Sequence, residues 1–386
     1  MRIAFLISGL QEGGAERVVT VLANEMYRQG HDVYIMVTWT NRCVYPLEMN
    51  IPIIPLFEFF PTEESYRNNK YYHLKKKLKK KCLQIKRFEK DHLSQRIENW
   101  KELVRYSDKA KVLAKYLKRL KIDVLYSFMD ESNIIAGLCQ RFTTTRIIIS
   151  QRNIKVLNSE LINYSYANAT IIVFQTEEQK ELFSPKIQKK GVVISNPIKE
   201  DLPEPFHGRR KKIIVNYCRL TDQKNIPLLI NAYKRISQEN NDYCLEIYGD
   251  GDKKDVLKCL IEKLELNDKA RIYSFDSNIH RKIVDYSMFV MTSDYEGMPN
   301  SLLEAMALGM PVISTDCLGG GARAVIEDGV NGQLVPCNDE DALYIAMKRY
   351  IDKPDFAEKC GNNASKIRSD LSVERITDKW LSLVER

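Results

Sequence analysis

The chain has 386 residues, 44% of them hydrophobic and 28% charged, which suits two ordinary globular domains each with its own core. No apolar run approaches the roughly 20 residues of a membrane-spanning helix. Nine scattered cysteines without a C-x-x-C pair argue against a disulfide framework or a zinc site, and five dispersed histidines (31, 73, 92, 207 and 280) show no metal-ligand spacing.

The first apolar run, Ile3 to Ile7 in MRIAFLISGLQEGG, is too short for a signal peptide and reads as a buried strand. With the cysteine usage, it leads to the expectation of a chain in the reducing cytoplasm. Strands are expected at Arg2–Ser8, Asp32–Thr38, Ile51–Leu56, Asp123–Ser127, Arg146–Ser150, Thr170–Phe174 and Val192–Ile194. Pro52 and Pro55 demote the third to an edge strand. Helical patterns fill Ala15–Arg28, Leu103–Leu120, Ser132–Gln140 and Glu177–Phe183. Alternation of this kind implies a mostly parallel sheet with helices on both faces.

Residues 61–110 interrupt the pattern as a basic, helical insertion with a loop at Pro61–Asn69. Much of the net charge of +8 gathers here, in Lys75-Lys76-Lys77-Leu78-Lys79-Lys80-Lys81 and then Lys86, Arg87 and Lys90, with Tyr71, Tyr72, Leu74, Leu83, Ile85 and Phe88 interleaved. Two readings stay open for 71–90: a solvated charged face, or a surface that sits on anionic headgroups. Nucleic acid ranks last, because no recognised nucleic-acid module accompanies the run.

Residues 1–198 form the expected first domain, and the Pro- and charge-rich stretch 199–212 a linker. A second alternation follows over 213–370. Its strands are Ile213–Tyr217, Cys244–Tyr248, Ala270–Tyr273, Met288–Thr292, Val312–Thr315 and Gln333–Val335. Its helices are Ile226–Gln238, Lys253–Leu264, Arg281–Ser287, Asn300–Leu308, Gly321–Ile326 and Glu340–Ile351. The fold class is therefore α/β, with two Rossmann-like doubly wound domains.

The most informative string is SDYEGMPNSLLEAMALGMPVIST. Glu296 lies on the loop after an apolar strand, and Glu304 inside the helix that starts there. Gly297 lets backbone approach a ligand, and Pro299 suits a first helical turn. Such a helix start offers unpaired N–H groups to a phosphate, and the carboxylates accept from hydroxyls. A nucleotide sugar presents both chemistries. Arg219 and Lys224, in YCRLTDQKNIPLLI just after another strand, supply cations that can neutralise a diphosphate as its charge develops.

EGMPNSLLEAMALG resembles the E-x7-E segment of retaining family-4 glycosyltransferases, the group 1 glycosyl transferases of GT-B fold. The resemblance covers nearly the whole chain and is strongest over 213–335. It implies that Glu296 contacts the transferred sugar and Glu304 the ribose hydroxyls, with Gly297, Met298, Pro299, Asn300 and Ser301 lining sugar and diphosphate. It places Arg219 and Lys224 on the donor phosphates, as in the family's R-L-x-x-x-K-N, although Cys218 stands where many relatives have Gly. Gly13 and Gly14, in GGAER, resemble the first loop that closes over donor and acceptor. Gly249, in IYGDGD, would lie near the nucleotide, and Tyr273 near the base.

Departures are as informative. SFMDESN (127–133) and SQRN (150–153) carry no His where relatives often have one near the sugar. Arg152 and Asn153 remain acceptor or sugar contacts, with Asp130 weaker. Ala324, in GGGARAVIEDGVNG, stands where relatives often have Glu. By the same resemblance the two domains face each other across a cleft, and the last helix, within 371–386, crosses back to the first domain.

The resulting expectation is a retaining hexosyltransferase with no cofactor and no metal. A nucleotide sugar, UDP-linked, is the co-substrate. The acceptor is a saccharide, lipid-linked, in bacterial surface polysaccharide assembly. The chain would associate peripherally with the inner face of the cell membrane through 71–90 and bind no nucleic acid. The rival classes are a GT-B epimerase or phosphorylase, and a non-catalytic nucleotide-sugar-binding protein.

Overall fold

The computed structural model describes residues 1–11, 13–62, 87–154 and 159–385. The Lys75–Lys81 run and most of the expected loop at Pro61–Asn69 lie outside the described residues. The chain divides into two compact units: Met1–Phe174 with Phe183–Val192 and Ser382–Arg386, and Gln175–Leu182 with Val193–Leu381.

The first unit runs β1 (Arg2–Ile7), α1 (Gly14–Arg28), β2 (Asp32–Val37), β3 (Ile53–Pro55), α2 (Arg87–Leu120), β4 (Val124–Phe128), α3 (Asp130–Cys139), β5 (Arg146–Ser150), α4 (Ser159–Tyr166) and β6 (Ile171–Phe174). After α5 (Glu177–Glu181), which belongs to the second unit, come α6 (Pro185–Gln188) and β7 (Gly191–Val193). The sheet order is β3-β2-β1-β4-β5-β6-β7. Pairing is parallel from β3 across to β6. Both faces of the sheet are covered, so β1, β4, β5 and β6 read as continuous apolar runs.

Helix α1 buries one face. In α1 the buried residues are Val18, Val19, Thr20, Leu22, Ala23 and Met26, the spacing of an amphipathic helix. Gly30, at φ +85, then reverses the chain, with His31 N–H bonded to Met26 O at 3.1 Å; only glycine takes that φ at no steric cost. The expected helix at Leu103–Leu120 is longer than its apolar pattern suggested. It runs without interruption from Arg87 through 34 residues, so residues 87–102 of the expected insertion continue directly into it.

The second unit carries β8 (Lys211–Tyr217), α7 (Ile226–Glu239), β9 (Cys244–Tyr248), α8 (Lys254–Lys263), β10 (Ala270–Tyr273), α9 (Ile279–Ile283), β11 (Tyr286–Met291), α10 (Asn300–Ala307), β12 (Val312–Thr315) and β13 (Gln333–Val335). Four helices close it: α11 (Glu340–Asp352), α12 (Pro354–Ala364), α13 (Ile367–Asp370) and α14 (Val373–Ser382). The parallel sheet has the order β10-β9-β8-β11-β12-β13. A core of Ile214, Leu229, Tyr233, Leu245, Ile247, Val290, Ile313 and Met347 lies between sheet and helices.

Two expected helices differ. Arg281–Ser287 is not one: α9 ends at Ile283 because Asp285 O accepts Lys211 N–H at 2.8 Å and Tyr286 already pairs with Lys211 in the sheet. Gly321–Ile326 forms turns instead. Its amide bonds alternate between spans (Ala324 to Gly320, Val325 and Ile326 both to Ala322), and the glycines before it resist helix. The stretch before β8 is pinned down. Half-buried Arg210 donates to the carbonyls of Phe206, Val284, Tyr286 and Gly309 at 2.6–3.1 Å, and Arg368 to those of Leu202 and Pro203.

Candidate active site

In the second unit the strand order reverses between β8 and β11, and ligands of doubly wound sheets bind beyond the carboxyl ends of the strands at that point. Two loops leave there. One, Thr221–Asn225, follows β8; the other, Thr292–Glu296, follows β11. Asp294 N–H donates to Gln223 O at 2.9 Å, Gln223 Nε2 to Tyr295 O at 2.8 Å and Thr292 Oγ1 to Lys224 O at 3.0 Å. Asn225, left-handed at φ 44, donates from Nδ2 to Asp294 Oδ1 at 2.9 Å.

This stitching brings Lys224 Nζ onto Glu296 Oε1 as an ion pair. Ser293 Oγ donates to the same oxygen at 2.9 Å. Both charged side chains are largely buried, so each satisfies a charge that would be costly alone. A cation for a phosphate oxygen and an acceptor for a hydroxyl thus stand side by side.

The helix α10 starts beside them. No side chain caps it, so its first-turn N–H groups keep their orientation toward an anion. Pro299 is the N-cap rather than the first helical residue, its carbonyl accepting from Leu303 N–H at 3.2 Å. Asn196 Nδ2 donates to Met298 O at 3.1 Å and Asn300 Oδ1 at 2.9 Å. Tyr217 OH donates to Ser301 O at 2.7 Å.

Gly297 is buried and tightly approached: a Cβ on Gly321 would lie 1.7 Å from Gly297 O. The turn carrying Gly321 is itself held. Thr176 Oγ1 donates to Gly319 O at 2.6 Å, and Gly319 N–H donates to Glu178 Oε1 at 2.8 Å. Arg323 bridges Glu178 (3.2 Å) and Asp316 (2.6 Å).

Glu304 is buried in α10, its Oε2 2.9 Å from His280 Nε2. Gly249 is required sterically, since a Cβ there would lie 1.9 Å from Cys218 O. Tyr273 stacks on Tyr248 with ring centroids 4.8 Å apart, and its carbonyl accepts Gly249 N–H. Arg219 is exposed on the turn after β8. Burial pushes the Cys218 thiol up to about 12.

The sequence has two Asp-x-Asp strings, Asp250-Gly251-Asp252 and Asp339-Glu340-Asp341, and the first aspartate of each is engaged within the chain. Asp250 is held below the usual carboxylate range chiefly by Lys254 at 2.6 Å, then by Phe275 N–H. Asp339 caps α11 by accepting from Ala342 N–H at 2.8 Å. Among the described residues no three His, Cys, Asp or Glu side chains gather as a metal site.

The remaining candidates lie in the first unit. Tyr45 OH clamps Gly13, accepting from its N–H at 3.1 Å and donating to its carbonyl at 3.0 Å; Gly14, exposed, opens α1. Asp130, at the start of α3, accepts from Asn153 Nδ2 at 3.0 Å and Gln151 Nε2 at 3.5 Å. Burial pushes the Asp130 carboxyl up against these two bonds. Arg152 is buried with its guanidinium 4.8 Å from the Phe128 ring centroid, and burial brings it down to about 9. Asp130 and Asn153 are therefore joined, and Gln151 extends the network to Tyr166 at 2.5 Å.

Sequence reasoning missed Ser293, Tyr217, Asn196 and His280. Ser293 sits three residues before Glu296, so loop adjacency was an available signal. The other three reach α10 from 84, 102–104 and 24 positions away, and no local pattern marks them.

Residues 197–367 match the family model of glycosyl transferases group 1. A Campylobacter jejuni α-1,4-N-acetyl-D-galactosaminyltransferase, named for a diNAcBac-PP-undecaprenol-linked saccharide, is 24% identical over 100% of this chain and 98% of its own. A second C. jejuni enzyme, a diphospho-undecaprenol 4-alpha-N-acetylgalactosaminyltransferase, is 29% identical over 66% of this chain and 74% of its own. HepE of Anabaena, solved in complex with UDP, superposes with a TM-score of 0.75 at 16% identity over 100% of both chains. The fold is GT-B, and residues 197–367 are similar to the glycosyl transferases group 1 family.

Proposed function

We propose that the protein is a retaining glycosyltransferase that moves a hexose or N-acetylhexosamine from a UDP-sugar to a lipid-linked saccharide in bacterial surface glycan assembly. The observation that carries this reading is the buried Lys224–Glu296 pair beside the uncapped start of α10. Lys224, Arg219 and the α10 N–H groups bind the diphosphate and stabilise it as it leaves. Glu296, held by Ser293, orients the sugar and stabilises positive charge at its ring. The acceptor hydroxyl attacks on the face the diphosphate vacates, and a leaving phosphate oxygen takes its proton. Two cations do the work a metal would otherwise do, so the reaction runs without one.

The acceptor class is supported by the two C. jejuni relatives, both named for undecaprenol-linked saccharides. Among the described residues no helix is long and apolar enough to cross a membrane, so access to a lipid-linked acceptor falls to a surface, for which the basic segment 71–90 is the proposed element. The test is a thermal-shift panel of nucleotide sugars, then transfer to undecaprenyl-diphosphate saccharides with the product's anomeric configuration read by NMR. Release of a sugar phosphate or an epimerised UDP-sugar, or binding with no turnover, overturns the reading.

A further inference from the structure

His280 is a buried imidazole that the chemistry above does not use. It projects from α9, whose flanking residues Ile279 and Ile283 are buried. Its Nε2 lies 2.9 Å from Glu304 Oε2. Around Glu304, α10 is otherwise apolar: Leu302, Leu303, Ala305, Met306 and Ala307 are all fully buried. A carboxylate at such a position costs desolvation free energy, and packing of this helix gives no reason for one. The Tyr217 ring meets the imidazole edge-on, centroids 5.8 Å apart, and the Tyr217 hydroxyl holds Ser301 O. The imidazole, the tyrosine and the first turn of α10 are thus fastened to one another.

We infer that His280 is a positioning residue for the donor nucleotide: by donating from Nε2 it fixes the Glu304 carboxylate in the orientation that accepts a ribose hydroxyl. The inference rests on the reading of Glu304 as a ribose contact. An N–H donor bonded to an ionised carboxylate strengthens the bond and restricts rotation about the last side-chain torsion. A hydroxyl that meets a held carboxylate pays less ordering entropy than one that must find a mobile one. Loss of the imidazole should therefore remove discrimination for the ribose hydroxyls rather than affinity for UDP in general.

The experiment is calorimetry on the full chain with UDP, 2′-deoxy-UDP and 3′-deoxy-UDP. Variants are Glu304→Gln, His280→Met, which fills the space without a donor, and His280→Gln, which keeps one; thermal melts establish folding. The wild type should prefer UDP over a deoxy analogue by roughly tenfold, the scale of one hydrogen bond to a charged group. His280→Met should reduce that preference to about twofold or less, and His280→Gln should restore most of it. A preference lost in Glu304→Gln but intact in His280→Met overturns the inference alone. No preference in the wild type overturns the Glu304 reading and the inference with it. If His280→Met does not fold, His280→Gln decides: retained preference supports the role and lost preference overturns it.

Discussion

Lys224 and Glu296 are 72 residues apart in the chain and meet as a buried ion pair because their loops leave adjacent strands, β8 and β11, at the same end of the sheet. Removing one partner of such a pair leaves a buried charge, typically at a cost of about 3–5 kcal/mol, whereas removing both leaves none. Lys224→Ala and Glu296→Ala should each abolish transfer while the protein stays folded. The Lys224→Ala/Glu296→Ala double variant should be more stable than the sum of the single losses. Denaturant unfolding in a double-mutant cycle measures this, and strict additivity would count against the pair.

Gly321 and Gly329 give a contrast between steric and backbone costs. A methyl on Gly321 meets Gly297 O at 1.7 Å, while nothing lies within 4 Å of one on Gly329, whose φ is +71. Gly329→Ala should cost about 1–2 kcal/mol of stability through its left-handed backbone and leave the donor KM unchanged. Gly321→Ala should displace the Gly297 loop and raise the donor KM at least about tenfold, the effect of losing one well-placed contact. Equal KM values for the two variants would refute this.

Asp130 predicts a pH dependence. Burial raises its carboxyl above the ordinary value, against hydrogen bonds from Asn153 and Gln151. A raised folded pKa contributes stability that is complete below the unfolded pKa and lost as pH rises through the folded one. Relative to Asp130→Asn, which does not titrate, the wild type should gain stability as pH falls from about 7 toward about 4, the carboxylate range. Unfolding free energies of both proteins across that range test it; a constant difference excludes the assignment.

Metal use has a direct test. On the proposed reading, in which Lys224 and Arg219 neutralise the diphosphate, transfer should proceed at an undiminished rate in excess chelator. Complete loss of activity, restored by a divalent cation, would show that a metal shares that role.

The basic segment carries the proposed membrane association. Replacing the lysines of Lys75–Lys81 with serine should weaken sedimentation with anionic liposomes, and high salt should weaken it in the wild type. Unchanged binding would leave the segment as a solvated charged stretch.

Much of the architecture was legible because strand runs and their breakers are local. The apolar runs at Ile213–Tyr217 and Cys244–Tyr248 correspond closely to β8 and β9, and Pro55 ends an edge strand. Boundaries failed where a long-range interaction overrode local pattern. Tyr286, within an expected helix, is claimed by the sheet through Lys211, and the turns over 321–325 follow glycines whose space is set by Gly297 and Glu178.

By itself the sequence determined that two parallel α/β units exist, that Glu296, Arg219 and Lys224 occupy strand-to-helix junctions and that Glu304 lies in the helix after one of them, since hydrophobic period and Gly/Pro placement act over a few residues. Only the tertiary structure decided which groups hold those side chains. Strand order puts β8 beside β11, and that adjacency brings Lys224 to Glu296. The packing of α9 against α10 brings His280 to Glu304. A buried charge must find its partner through space, and the distance along the chain carries no record of which partner that is.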